Sequence, residues 1–271
     1  MNKVALGIVA IGLFVVGNTR AADLKLMVEP SYPPDQAAEV YKPLVDYLKT
    51  TTGHNITLVT PRNYHFFWRE IRSNAPIDLV FSEAHFTDYR ITKFKAVPLV
   101  RAADTQSYTL VGGPDLNATN INQLVGRNIV TMPSPSLGFA ILLEFFPSPI
   151  AQPNILSTAM SWKDGVEIVY AGEADAAIIP TALQAQQGSE IVPLRKSRDF
   201  PGAAFTASPE LDAKVQADIK AALLKLHEDT GAYSALNELG ITQFIETTAA
   251  EYAGFESILK EFYGYQAGSA P

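Results

Sequence analysis

Gly126-Arg-Asn-Ile-Val-Thr-Met-Pro-Ser-Pro-Ser-Leu-Gly-Phe-Ala-Ile-Leu-Leu-Glu144 reads as a strand, a short loop and a helix. Ile129, Val130 and Met132 make a short apolar strand. Pro133 and Pro135 lack an N–H and stop its ladder. Ser134 or Ser136 is placed to cap a helix whose apolar run begins at Phe139. A helix that starts in a Ser/Pro/Gly loop presents free backbone N–H groups and a partial positive charge, which together suit an anion. An ordinary helix cap explains the same residues, and both readings stand at this point.

Upstream, the pattern is strand, helix, strand, helix, strand. Leu24 to Val28 reads as a strand, and Val40, Leu44 and Leu48 mark one face of a helix closed by Gly53. Pro43 lies within that helix and predicts a kink or a late start. Asn55 to Thr60 is a second strand. Asn63 caps a helix through Phe67, Trp68 and Ile71, and Asp78 to Phe81 is a third strand. The pattern restarts at Tyr108 and runs through the opening stretch, the Ser161-capped helix and Asp175 to Ile179. Ser208-Pro209 predicts the start of a long helix, and Tyr252, Phe255, Leu259 and Phe262 a last one. Two α/β units with mostly parallel sheets follow. The polar stretches Ala102 to Ser107 and Lys196 to Gly202 are the expected crossings between lobes. The lobes are thus expected at 22–104 with 205–265, and at 105–204, followed by a disordered tail at 266–271. Clefts between such lobes are favoured ligand sites.

Lys3, the apolar run Val4 to Val16 and Thr19-Arg20-Ala21 fit a secretory signal peptide over 1–21. That run is too short to span a bilayer as a helix. The chain has no Cys, which excludes disulfides, thiolate metal sites and a Cys nucleophile. Its formal charge is −7, and an acidic chain without a basic run is a poor nucleic-acid binder. His54, His65, His85 and His227 lack metal-ligand spacing, and no catalytic elbow or phosphate loop occurs. No enzyme activity, cofactor or metal is expected. Ser82, Glu83 and His85 lie just past the carboxyl end of a strand, where ligands of open α/β sheets collect. Capping of a short helix is the competing role for His85.

Taken in order, Tyr41-Lys-Pro-Leu-Val-Asp-Tyr-Leu48 with Gly53, the Tyr64 helix, Ile77-Asp-Leu-Val-Phe-Ser-Glu-Ala-His85, the Pro133 to Gly138 loop and Gly172-Glu-Ala-Asp-Ala-Ala177 resemble a known family. It is the periplasmic substrate-binding proteins of phosphate, phosphite and phosphonate ABC importers. The resemblance implies a two-lobe periplasmic-binding-protein fold of the second type with two hinge crossings. It implies a monomer that delivers a small anionic or zwitterionic solute to an importer's permease. A sensory module that signals to a membrane receptor or kinase is the alternative. The resemblance also implies roles. Phosphonate oxygens would sit on the turn here written Pro135-Ser-Leu-Gly138, where Ser136 and Gly138 keep the family's chemistry and Ser134 lies just outside. Trp162 stands where the family often has His, which points to a less charged or partly apolar ligand. Tyr64 matches a family Tyr that lines the cleft, and Asp175 an acidic position that meets a ligand amine.

The signal-peptide reading makes one prediction. Cleavage is expected after Ala21, with Ala22 the close alternative, and N-terminal sequencing of the secreted protein checks it. A secreted product that still begins at Met1 contradicts the reading.

Overall fold

A computed structural model describes residues 21–266 apart from 114, 115, 117, 119 and 188–190. The signal-peptide segment before residue 21 and the tail after residue 266 lie outside the described residues. The first unit runs β1 (Asp23–Val28), α1 (Pro34–Thr52), β2 (Asn55–Val59), α2 (Tyr64–Arg72), β3 (Leu79–Ser82), α3 (Ala84–Phe94) and β4 (Val97–Ala102). The second runs β5 (Tyr108–Gly112), β6 (Asn128–Val130), α4 (Leu137–Phe145), β7 (Asn154–Leu156), α5 (Trp162–Tyr170), β8 (Ala176–Pro180), α6 (Thr181–Gln186) and β9 (Val192–Lys196). The chain ends with β10 (Ala204–Ala207), α7 (Ala213–Lys225), α8 (Tyr233–Leu239) and β11 (Phe244–Glu246), followed by two 3₁₀ segments, Ala249–Tyr252 and Phe255–Glu261.

The strands form two sheets. One has the order β11-β4-β10-β3-β1-β2 and the other β7-β6-β8-β5-β9. Within each, the strands linked through helices pair in parallel: β1 with β2 and β3, and β6 with β7 and β8. Strands that arrive by other routes pair antiparallel. β10, returning from the second sheet, inserts between β3 and β4, β11 edges β4, and β5 lies between β8 and β9. Each sheet is therefore mixed and not mostly parallel as expected, because the strands that return between the lobes pair antiparallel. β3, β5 and β10 are buried along their whole length, as central strands covered on both faces must be.

Local chemistry accounts for most boundaries. Asn63 Oδ1 accepts from the N–H groups of His65 and Phe66 and starts α2. Gly53 closes α1 in the left-handed conformation. The helix starts at Pro34 and continues through Pro43, so the late start that this residue suggested does not occur. Its buried face of Ala37, Tyr41, Leu44, Val45 and Leu48 supplies the packing energy. Two expectations need correction. The long helix begins not at Ser208-Pro209 but at Ala213, because Asp212 accepts from the N–H groups of Lys214 and Val215 and caps it there. The last aromatic residues lie on 3₁₀ turns rather than an α-helix, since Gly254 adopts a left-handed conformation between the two segments. No helix among the described residues is long and apolar enough to cross a membrane.

The crossings run side by side. Gln106 and Phe200 exchange backbone hydrogen bonds of 2.9 and 2.7 Å, and Ala102 N–H donates to Ala203 O at 2.9 Å. Gly202 fits there because it has no side chain: a Cβ would lie 2.3 Å from Ala102 O and 2.5 Å from Asp104 O. The lobes also share apolar packing. Ala84, and Ala204 at the start of β10 in the first sheet rather than at the end of the second lobe as expected, sit in one buried cluster with Tyr108, Leu137 and Ile141 of the second lobe. Gly202→Ala is accordingly expected to destabilise the protein by about 1–3 kcal/mol through overpacking at the crossing. Urea denaturation at equilibrium checks this, and an unchanged midpoint contradicts it.

Candidate ligand-binding cleft

The ends of β1 and β3 place two carboxyls side by side. Glu29 follows β1, and its backbone N–H donates to Phe81 O on β3 at 3.2 Å. Glu83 follows β3 and occupies the position before α3, but its side chain does not cap that helix. It reaches across to the second lobe instead. Glu83 Oε1 accepts from the Tyr108 hydroxyl on β5 and, at 2.9 Å, from Gln106 Nε2 on the crossing. The N–H of Leu137, in the first turn of α4, approaches the same carboxyl and favours its charged form. Glu83's own backbone N–H donates to Glu29 Oε2 at 2.7 Å. Both side chains are buried, at 4% and 5% exposure for the two residues, so solvent does little to screen them.

Burial, and then the charge of Glu83, push the Glu29 carboxyl well above the usual range. Burial also raises Glu83, against the donors from Tyr108, Glu29, Gln106 and Leu137. We therefore assign the proton to Glu29 and the charge to Glu83, which has more donors. His85, on the first turn of α3, places Nε2 3.0 Å from Pro135 O, a second contact between lobes. Facing a carbonyl, Nε2 carries the hydrogen and Nδ1 keeps a lone pair. Burial pushes this imidazole down to about 3, so it is neutral near pH 7.

Glu83, His85 and the Ser134 to Gly138 turn thus come together, but not with open donors. Ser136 is fully buried. Its hydroxyl accepts from Phe139 N–H and donates to Met132 O, both at 3.3 Å, which makes it a helix cap. Gly138 gives room to the Trp162 indole: a Cβ there would lie 2.8 Å from the ring. Trp162 in turn packs edge-on against Tyr108, with ring centroids 5.1 Å apart. Tyr64 is buried in the first lobe, stacked on Phe86 and next to Glu29. Ser82 shares a hydrogen bond with Thr87 at 3.3 Å. Asp175 lies apart from the cleft: it accepts from Arg127 Nη1 at 3.1 Å and from Asn128 N–H at 2.8 Å, and so fastens β6 to β8. Glu29, Gln106 and Tyr108 were not singled out from sequence. Glu29 had a usable signal, since it ends β1 as Glu83 ends β3 and the two strands are neighbours.

Two cavities take their walls from both lobes. One is a cavity of about 600 Å³, lined from both lobes by residues such as Tyr32, Tyr41, Phe81, Trp162 and Leu183. Its lining carries Lys163 beside the carboxyls of Glu29, Glu83, Asp104, Asp164 and Glu167. The other is a smaller pocket of about 310 Å³, lined by His65, Arg69, Arg72, Ser134 and Tyr263. One cavity is acidic and aromatic, and the other is basic.

Known proteins share this architecture. A family model described as the periplasmic substrate-binding protein of phosphonate ABC transporters matches residues 26–252. No curated protein matches the chain by sequence. Among solved structures, PhnD1 from Prochlorococcus marinus in complex with methylphosphonate superposes with a TM-score of 0.75 at 13% identity, over 88% of this chain and 97% of that one. A binding protein component of an ABC phosphonate transporter from Pseudomonas aeruginosa gives 0.74 at 10% identity, over 88% and 86%. A Xanthomonas citri protein bound to ATP gives 0.69 at 14% identity, over 88% and 96%. At these identities the superpositions establish the fold.

The buried carboxyl makes a pH prediction. Glu in an unfolded chain titrates near 4.3. Glu29 titrates higher when folded, so its neutral form favours folding at low pH, and that contribution is lost as pH rises through the folded value. His85 acts with the opposite sign: its contribution is present above about 6.5 and lost as pH falls towards about 3. Comparing Glu29→Gln with the parent cancels the His85 part. The stability of the variant relative to the parent should therefore increase as pH is raised from about 4 to about 8. Urea denaturation at stepped pH reads this, and a pH-independent difference contradicts the raised Glu29.

Proposed function

The chain belongs to the family of periplasmic substrate-binding proteins of phosphonate ABC transporters, and from that premise we propose that it captures a small anionic or zwitterionic solute between its lobes and hands it to an importer's permease. It does so as a monomer exported by the signal peptide at 1–21. The observation that carries the reading is a cleft whose cavity takes its walls from both sheets, with Tyr41 and Phe81 on one side and Trp162 and Leu183 on the other. A solute touching both walls adds to the contacts of Glu83 and His85 that already join the lobes, and so deepens the preference for the closed form over the open one. The permease then distinguishes closed from open.

The charges on the two sides of the cleft favour a direction for the solute. An anionic group suits the pocket of Arg72, His65 and Ser134, where Arg72 Nε is buried without a hydrogen-bond partner while Arg69 already pairs with Glu70 Oε1 at 2.6 Å. Ser136 is assigned to holding α4 and not to the solute. A cationic or apolar part suits the acidic, aromatic side.

Methylphosphonate, 2-aminoethylphosphonate and inorganic phosphate make the direct test. At about a hundred times its dissociation constant a ligand adds about 2.7 kcal/mol to folding, which thermal denaturation detects. At least one of the three is expected to do so, and Arg72→Gln is expected to weaken it about ten- to a hundredfold in calorimetry. No shift with any of them, or an unchanged affinity in Arg72→Gln, contradicts the placement of the anion.

A further inference from the structure

Glu29, Glu83 and His85 each bring one ligand-capable atom to within 4.8 Å of those of the other two. All three side chains are buried, and His85 is fully so. Among the described residues, Glu29 Oε1, Glu83 Oε2 and His85 Nδ1 are buried atoms without a hydrogen-bond partner. A proton on Glu29 answers the two carboxyl oxygens only and leaves the His85 Nδ1 lone pair buried and unanswered, whereas one cation in the proton's place would answer all three atoms. We propose that Glu29, Glu83 and His85 form a seat for one divalent transition-metal ion of the Zn²⁺, Mn²⁺ or Fe²⁺ class on the first-lobe wall of the cleft.

The surroundings have the form such a seat requires. A metal-bound imidazole normally gives its other N–H to a carbonyl, which fixes the tautomer, and His85 Nε2 faces Pro135 O in this way. Ligating carboxylates are themselves held by hydrogen bonds. Glu83 Oε1 is held by Tyr108 and Gln106, and Glu29 Oε2 by the Glu83 N–H, so each carboxyl keeps one oxygen unpartnered. One imidazole with two carboxylates suits borderline metal ions, whereas Ca²⁺ takes six to eight oxygens and Mg²⁺ keeps much of its water. The seat is reached by opening the lobes, because the outer partners Tyr108 and Pro135 belong to the second lobe and the three ligands to the first. Sequence spacing concealed it: Glu29 is separated by a whole α-β-α-β passage from Glu83 and His85. The proposal rests on this geometry and not on the identity of the solute.

The test uses Zn²⁺ alone, titrated by calorimetry into full-length mature protein stripped with a chelator. One ion per chain is expected, with affinity reduced at least about tenfold in Glu29→Gln and in Glu83→Gln. His227→Ala, which removes an exposed histidine far along the chain, is expected to leave it unchanged. No Zn²⁺ binding, or binding that both Gln variants retain, overturns the proposal. Circular dichroism shows whether the variants fold. If they do not, Co²⁺ added to the parent decides: intense visible absorption from a low-coordinate site supports the seat, and the pale spectrum of hydrated Co²⁺ overturns it. Failure of phosphonates to bind would bear on the solute and leave the Zn²⁺ result standing.

Discussion

A carboxylate taken out of water needs donors for its oxygens, and Glu83 finds them on the far side of the cleft. Removing an ionised group from water costs several kcal/mol unless geometry and hydrogen bonds compensate. Within its own lobe, Glu83 has one donor, the protonated carboxyl of Glu29, and a helix start that its side chain does not cap. Tyr108 and Leu137 in the second lobe and Gln106 on the crossing supply what the first lobe lacks. Closing the lobes is therefore the condition under which this carboxylate is satisfied. The helix start that suits an anion holds one from its own chain.

The rest of the cleft follows from that contact. Tyr108 can reach Glu83 because β5 is the first strand after the crossing and is fully buried. Trp162 packs against Tyr108 and lies over Gly138, so the turn that begins α4 is covered by an indole. His85 adds a neutral hydrogen bond to Pro135 O from the first turn of α3. What is left of the cleft is an acidic, aromatic cavity on one side and a basic pocket on the other. A solute bearing charges of both signs matches that division better than a bare dianion.

Much of this was legible in the residues. The Asn63, Ser136 and Ser161 caps, the α2 face and the alternation of strands and helices follow from local rules and appear in the structure where the sequence puts them. β11 and the 3₁₀ turns near the end were not legible, because three-residue strands and single turns carry almost no periodicity. Ser136, Gly138 and Trp162 were recognised as a group, but their roles depend on which atoms touch. Ser136 became a cap and Gly138 a space for an indole only through packing. Glu29 and Tyr108 were missed for a related reason. Neither belongs to a motif, and their chemistry exists only because β1 lies beside β3 and β5 follows the crossing.

The central claim is that Glu83 holds the two lobes together without a solute. Small-angle X-ray scattering of ligand-free parent and Glu83→Ala, measured at the same pH and salt, tests it most directly. The account predicts a parent profile that matches the closed structure and a larger radius of gyration for the variant. An expanded parent, or two indistinguishable profiles, would contradict it.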